Sequence, residues 1–266
     1  TSLNISFLMT HQYDEFVKFA NFLADESSII ITKYFRTKIN IDNKEDSSPV
    51  TIADQNTELK IRELISSKYP SHGIIGEEYE QINTKAEFVW VIDPIDGTRS
   101  FIAGHKDFGT LISLLHNNEP VLGIINCPAH NERWLGIKDH QTTCNDIKVN
   151  TSSKEKIEDS YLFTSGQFFY EPFLKKGFEK IKEQSKYFRY GGDCYMYGML
   201  ASGLIDIVIE DTLKAHDYMA LVNIIEGAGG KITDKFGKNV NIESDGSLVA
   251  SCNPKIHQQL ISIINS

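Results

Sequence analysis

A mixed α/β fold in two joined halves is predicted from three features of the chain. Short strands linked by a hairpin signal fill residues 73–137, whereas strands and helices alternate from about residue 160 onward. The third feature is size: 266 residues, 41% hydrophobic and 24% charged, suffice for a large core. The polar stretch over 145–159 marks the join, giving an N-terminal α+β half over 1–148 and a C-terminal α/β half over 149–266.

The elements follow in order. Residues 12 to about 35 predict a helix, because Phe16, Phe19, Ala20 and Leu23 fall at helical spacing. Residues 40–48 are polar and predict a loop, whose Lys44 is a candidate lid residue. Pro49-Val50-Thr51 leads into a second helix over 52–69, closed by Pro70. Residues 73–76 predict a short strand opening onto Glu77-Glu78. The unbroken apolar run over 88–92 predicts a strand covered on both faces. Strands over 108–116 and 121–126 form a hairpin through Asn117-Asn118-Glu119-Pro120, and 132–137 continues that sheet. In the second half, strands are expected over 161–164, 205–209, 231–233 and 247–250. Helices are expected over 170–184, 194–202 and 216–228, with a last one starting at Pro254.

Asp and Glu outnumber Lys and Arg by 36 to 27, for a net charge of -9. Such a surface repels polyanions, so neither a nucleic-acid partner nor an anionic membrane is expected. No apolar run reaches the roughly 18 residues of a membrane span. The start, residues 1–9, lacks a basic leader segment, and its missing initiator Met suggests a trimmed end. Cys127, Cys144, Cys194 and Cys252 are scattered, which suits a reducing, cytoplasmic setting.

The chemistry concentrates in Trp90-Val91-Ile92-Asp93-Pro94-Ile95-Asp96-Gly97-Thr98. A buried strand ends in one carboxylate and a second follows three residues later, so the two anions need a shared cation. With only oxygen donors in that segment, a hard ion such as Mg²⁺ is favoured. Gly97-Thr98 then begins a helix whose free N–H groups suit a phosphate. An Asp-Pro turn with an N-capping Asp explains the fragment equally well on its own. Plain accounts exist too for Glu77-Glu78 as an exposed pair, and for Asp54 and Asp217 as acids in the first turn of a helix.

Taken together, P-V-T-x-x-D over 49–54, G-E-E over 76–78, W-V-I-D-P-I-D-G-T over 90–98, and Asp217 before an apolar helix ending E-G-A-G-G resemble the inositol monophosphatase family of lithium-sensitive phosphatases. The resemblance runs from about residue 12 to 260. It implies a five-layered αβαβα sandwich, a phosphomonoesterase with two or three Mg²⁺ ions, and a homodimer. It also implies metal ligation by Glu77, Asp93, the Ile95 carbonyl, Asp96 and Asp217, with Asp93 bridging two ions. Asp54 and Thr98 would orient and help deprotonate the attacking water, assisted by Glu77. The Gly97 and Thr98 N–H groups, with Asp96 beside them, would meet the substrate's phosphate end.

Two further acids bear on the substrate. Gly191-Gly192-Asp193-Cys194-Tyr195 and the stretch from Asp206 to Glu210, then Leu213-Lys214, resemble the histidinol-phosphate phosphatase branch of the family. Asp193 and Glu210 would pair with the ammonium and imidazole of L-histidinol phosphate, whereas inositol offers only hydroxyls. If Asp193 merely caps a helix starting at Cys194, an inositol monophosphatase or broad sugar-phosphate phosphatase is expected instead. A non-catalytic partner of transcription or ribosomal machinery is the reading from another class, opposed by the intact acidic set. His216 and Met219 depart from the aromatic and small residues common at these family positions, altering the pocket wall.

Overall fold

Apolar faces stack the chain into five layers, αβαβα. The computed structural model describes residues 2–38, 41–43, 49–166, 169 and 171–266. Lys44 and the Tyr170 start of an expected helix lie outside the described residues. Helix α1 (Ser2–Tyr34) is followed by a small ribbon of β1 (Ile41–Asn43) and β2 (Pro49–Thr51), then by α2 (Ile52–Lys68). The 3.6-residue spacing of Phe16, Phe19 and Leu23 in α1, and of Ile61 and Ile65 in α2, directs both helices onto Trp90, Ile92 and Ile112 of the sheet beneath. The described α1 begins ten residues before its expected start.

That sheet holds β3 (Gly73–Gly76), β4 (Phe88–Asp96), β5 (Gly109–His116), β6 (Glu119–Cys127), β7 (Glu132–Ile137), β8 (Thr143–Cys144) and β9 (Ile147–Lys148), in chain order. All neighbours are antiparallel except β3 and β4. Asn117 and Asn118 turn the β5–β6 hairpin with φ of 51° and 66°, the left-handed pair that a two-residue turn requires. Between β4 and β5 lies the short α3 (Thr98–Ala103).

The second sheet comprises β10 (Tyr161–Thr164), β11 (Tyr187–Tyr190), β12 (Ile207–Glu210), β13 (Lys231–Thr233) and β14 (Leu248–Ser251), ordered β11-β10-β12-β14-β13. Helices α5 (Asp193–Ala201), α6 (Ala215–Tyr218) and α7 (Leu221–Gly227) lie between the sheets, where Val91, Leu111 and Ile125 of one meet Val208, Ile232 and Leu248 of the other. Outside the second sheet, α4 (Pro172–Gln184) and α8 (Pro254–Ile264) cover Leu162, Ile207 and Val249.

Further elements differ from expectation, among them β1, which lies inside the stretch expected as a loop over 40–48. The helix expected over 216–228 breaks at Met219-Ala220, where Ser113 Oγ of β5 donates to the Met219 carbonyl at 3.3 Å. Strand β11 was not expected; its largely exposed Tyr-Phe-Arg-Tyr pattern has no apolar face to signal an edge strand. Strand β4 continues past Ile92 to Asp96, and that extension builds the site.

Candidate active site

A single backbone irregularity brings the two central acids together. Asp93 pairs with Leu111, but Asp96 pairs with Gly109, so β4 spends three steps where β5 spends two. In a regular strand, residues 93 and 96 point to opposite faces; the extra residue of this bulge returns both to one face. Pro94 is tolerated there because a bulge needs no ladder N–H, and its carbonyl accepts Thr110 Oγ1 at 2.9 Å. Asp93, Asp96 and Asp217 each offer an oxygen within 4.8 Å of the others.

Helix α2 brings the next acid. Thr51 is its N-cap, and Asp54 closes the capping box, accepting the Thr51 N–H at 2.8 Å and its Oγ1–H at 2.6 Å with Oδ2. The other Asp54 oxygen faces Thr98 Oγ1 at 3.3 Å, and that hydroxyl also lies 3.1 Å from the Ile95 carbonyl. The expected helix-capping role and the expected meeting with Thr98 thus coexist in one side chain. Burial pushes the Asp54 carboxyl up from its ordinary range. Gly97 precedes Thr98 with a φ of 82°, and a Cβ there would stand 2.9 Å from the Asp193 side chain, so only glycine fits.

Glu77 follows β3 on a loop fastened from below. Fully buried Glu58 accepts the Glu78 N–H at 2.8 Å and Arg62 Nε at 2.7 Å. Arg62 in turn donates to the carbonyls of Tyr79 and Glu80 at 3.0 and 2.9 Å. Gly76 has no side chain because Glu58 occupies that space, 2.1 Å from where a Cβ would sit. Glu77 is thereby held where one of its oxygens, one of Asp93 and a ring nitrogen of His216 lie within 4.8 Å of one another. Glu58 and Arg62 escaped the sequence reading; an acid and a base four apart on a helix ordinarily signal an exposed pair.

Asp217 arrives on α6, where its Oδ2 accepts the Lys214 N–H at 2.6 Å. Four carboxylates thus converge on the bulge, with His216 as a base beside Asp217. Burial, then Glu77 and Asp96, raise the Asp93 carboxyl well above its ordinary range; burial, then Asp193 and Asp217, do the same to Asp96. Asp217 is also raised, mainly by burial. Asp93 Oδ1 is buried with no hydrogen-bond partner among the described residues. An orphaned anionic oxygen amid like charges fits a hard divalent cation, and the donor set of Glu77, Asp93, Asp96 and Asp217 is of that kind.

The second pair of acids stands on the other side of Asp96. Asp193 opens α5, and its side chain turns across to α3 rather than back along its own helix. It accepts Ser100 Oγ at 2.5 Å and packs on Gly97, while the Cys194 N–H that follows it donates to Asp96 Oδ2 at 2.6 Å. Asp193 holds a φ of 41°, strained for a residue with a side chain. Glu210, only 5% exposed, accepts both the N–H and Oγ of Ser165, and Tyr197 Oη at 2.6 Å. Burial raises its carboxyl to about 7. Asp206 takes no part in this group: it binds Ser152 Oγ and accepts the Tyr161 N–H at 2.8 Å, tying the inter-sheet connection to β10.

Comparisons with known proteins agree with this arrangement. Residues 12–266 match the inositol monophosphatase family, whose members are Mg²⁺-dependent phosphatases. The chain is 43% identical to the bifunctional phosphatase IMPL2, chloroplastic, of Arabidopsis thaliana, over 94% of this chain and 75% of that protein. It is 32% identical to a histidinol-phosphatase of Chlorobaculum parvum, over 92% and 94% of the two chains. An inositol monophosphatase structure from Zymomonas mobilis superposes with a TM-score of 0.87 at 39% identity, covering 96% of this chain and 99% of that one. With the five layers, the bulged acid pair and these matches in agreement, the chain belongs to the inositol monophosphatase family of phosphate-monoester hydrolases.

Proposed function

We propose that the protein is a Mg²⁺-dependent phosphatase of a small phosphate monoester, best matched by L-histidinol phosphate, with L-histidinol as product. The observation that carries the reaction class is the partnerless Asp93 oxygen at the centre of Glu77, Asp96 and Asp217, beside the Thr98–Asp54 contact. Two or three Mg²⁺ ions bound by Glu77, Asp93, the Ile95 carbonyl, Asp96 and Asp217 would supply a more acidic water and neutralise the phosphate dianion. The chain's own residues do the rest. Asp54, with its carboxyl raised by burial, takes a proton relayed through Thr98 Oγ1 as water attacks in line. The Gly97 and Thr98 N–H groups orient the phosphate.

Substrate choice rests on Asp193 and Glu210. Asp193 leans over Gly97, beside the proposed phosphate position, and both Asp193 and Glu210 act electrostatically on Asp96. A carboxylate holding two or three hydrogen bonds still has room for a further donor, so both acids suit a cationic alcohol. Similarity to a bifunctional phosphatase and to a histidinol-phosphatase supports the same substrate. A homodimer in a reducing, cytoplasmic compartment completes the reading; the four cysteines are unpaired, and no described helix is long and apolar enough to cross a membrane.

The test is phosphate release from L-histidinol phosphate and from myo-inositol 1-phosphate at matched concentrations with Mg²⁺. A preference of about tenfold or more for the former, lost in Asp193→Ala, is expected from one buried charge-assisted contact. Equal rates on both esters would leave a general small-ester phosphatase and make Asp193 a structural residue.

A further inference from the structure

We propose that His216 supplies a nitrogen ligand to one metal position of this centre, so that the position prefers Mn²⁺ and similar transition ions to Mg²⁺. The three donors come from separate parts of the chain: Glu77 from the loop after β3, Asp93 from β4 and His216 from α6. One atom of each lies within 4.8 Å of the other two. Two ligands on opposite sides of a first-row ion stand about 4.2 Å apart, so three donors at this spread need only small rotations to share one.

His216 is 8% exposed and Asp93 2%, Glu77 is half-buried, and the Asp93 Oδ1 that lacks a partner among the described residues belongs to this same group. A simpler account would have His216 pair with its neighbour Asp217. Its Nε2 stands 3.5 Å from Asp217 Oδ1, longer than an N–H···O hydrogen bond, and the other oxygen of Asp217 is already held by the Lys214 N–H. The contact is at most an ion pair, with no hydrogen bond between the two side chains to fix the imidazole there.

The consequence is one of ion selectivity. Mg²⁺ favours oxygen donors and parts with its waters reluctantly, whereas imidazole suits Mn²⁺ and the later transition ions. A histidine at a position that otherwise presents carboxylates and water tilts the balance towards those ions. The inference rests on the metal-dependent phosphatase reading, but its test is separate.

Mn²⁺ binding to the metal-free full chain is followed by electron paramagnetic resonance, with Mg²⁺ as competitor, and nitrogen coupling to the bound ion is read by electron spin echo modulation. The wild-type protein is expected to show a ¹⁴N coupling. His216→Phe should lose it, with the Mn²⁺-over-Mg²⁺ preference falling about tenfold. Bound Mn²⁺ without ¹⁴N coupling, or a coupling that survives in His216→Phe, would overturn the inference. Should that variant not fold, the wild-type spectrum decides alone. Phosphate release with Mg²⁺ and no nitrogen signal sinks only the His216 ligand; a nitrogen signal without phosphatase activity sinks only the phosphatase reading.

Discussion

Among the described residues Asp93 keeps one oxygen without a hydrogen-bond partner, whereas both oxygens of Glu210 are taken, by Ser165 on one side and Tyr197 on the other. Both side chains are buried and both carboxyls are raised, yet only Glu210 has been given neutral donors. The difference separates two kinds of buried acid. A buried acid given donors on both oxygens is satisfied by the protein itself; a buried acid with an open oxygen amid other carboxylates suits a multivalent cation from outside.

Removing the unsatisfied charge tests that contrast most severely. Asp93→Asn should lower phosphate release about a thousandfold, the scale of losing a principal electrostatic contact, while raising the melting temperature of the metal-free protein by relieving repulsion. A variant that loses activity and also melts lower without metal would show that Asp93 is an ordinary satisfied acid. Closing the space between the two groups comes next. Gly97→Ala forces a Cβ to within 2.9 Å of Asp193 at a left-handed φ, and should cut activity about a hundredfold through misplacement alone. Steady-state kinetics with both esters would read it, and near-normal rates would mean that the Asp193–Gly97 contact does not set the geometry.

A smaller effect distinguishes the groups by pH. Glu210 has a carboxyl near 7 in the fold against 4.5 in the open chain, so the folded protein holds a proton there that the unfolded chain has lost. Stability from this group is therefore complete below about 4.5 and declines as pH rises to about 7, by about 3 kcal/mol. Asp93 and Asp96 are shifted in the same direction, so metal-free protein should tolerate less urea at pH 8 than at pH 5. Mg²⁺ should restore the loss due to Asp93 and Asp96, and Glu210→Gln should remove the share due to Glu210. An unfolding midpoint independent of pH would contradict both.

The least drastic change lies under the Glu77 loop. Glu58→Gln keeps the shape but removes the charge facing Arg62, and should raise the Mg²⁺ concentration for half-maximal activity several-fold, with the rate at saturating Mg²⁺ nearly kept. Calorimetric titration of the metal-free variant reads the same loss directly. An unchanged Mg²⁺ requirement would detach the clamp from the site.

Residues that carry charge in a short motif were legible before the fold was known. Asp93, Asp96, Gly97 and Thr98 lie within six positions, and the apolar run before them already places them at a strand end. The bulge that turns Asp93 and Asp96 to one face was not legible, because its signal is a proline that also fits an ordinary turn. For Asp193 the sequence favoured neither a cap nor a pocket wall. In the fold its carboxylate accepts from Ser100, a contact between α3 and α5 that residue type does not signal. The middle layer was similarly hidden: α6 and α7 read as one helix, and their break at Met219-Ala220, where the chain meets Ser113 of β5 more than a hundred positions away, has no local signal.

Helix α2 has a consequence for how such a site varies over evolutionary time. Asp54 stands at its first turn, and Glu58 and Arg62, which seat the loop bearing Glu77, follow at one-turn intervals on the same rod. Each interval is about 6 Å of rise. The acid proposed to orient water and one proposed for the metal group are thus indexed to a common ruler. A lineage can slide or tilt α2 only by moving both together, and inserting one residue between positions 54 and 58 would rotate one acid away from the other by about 100°. Drift in sequence along this helix is free on its outer face and nearly forbidden in its spacing.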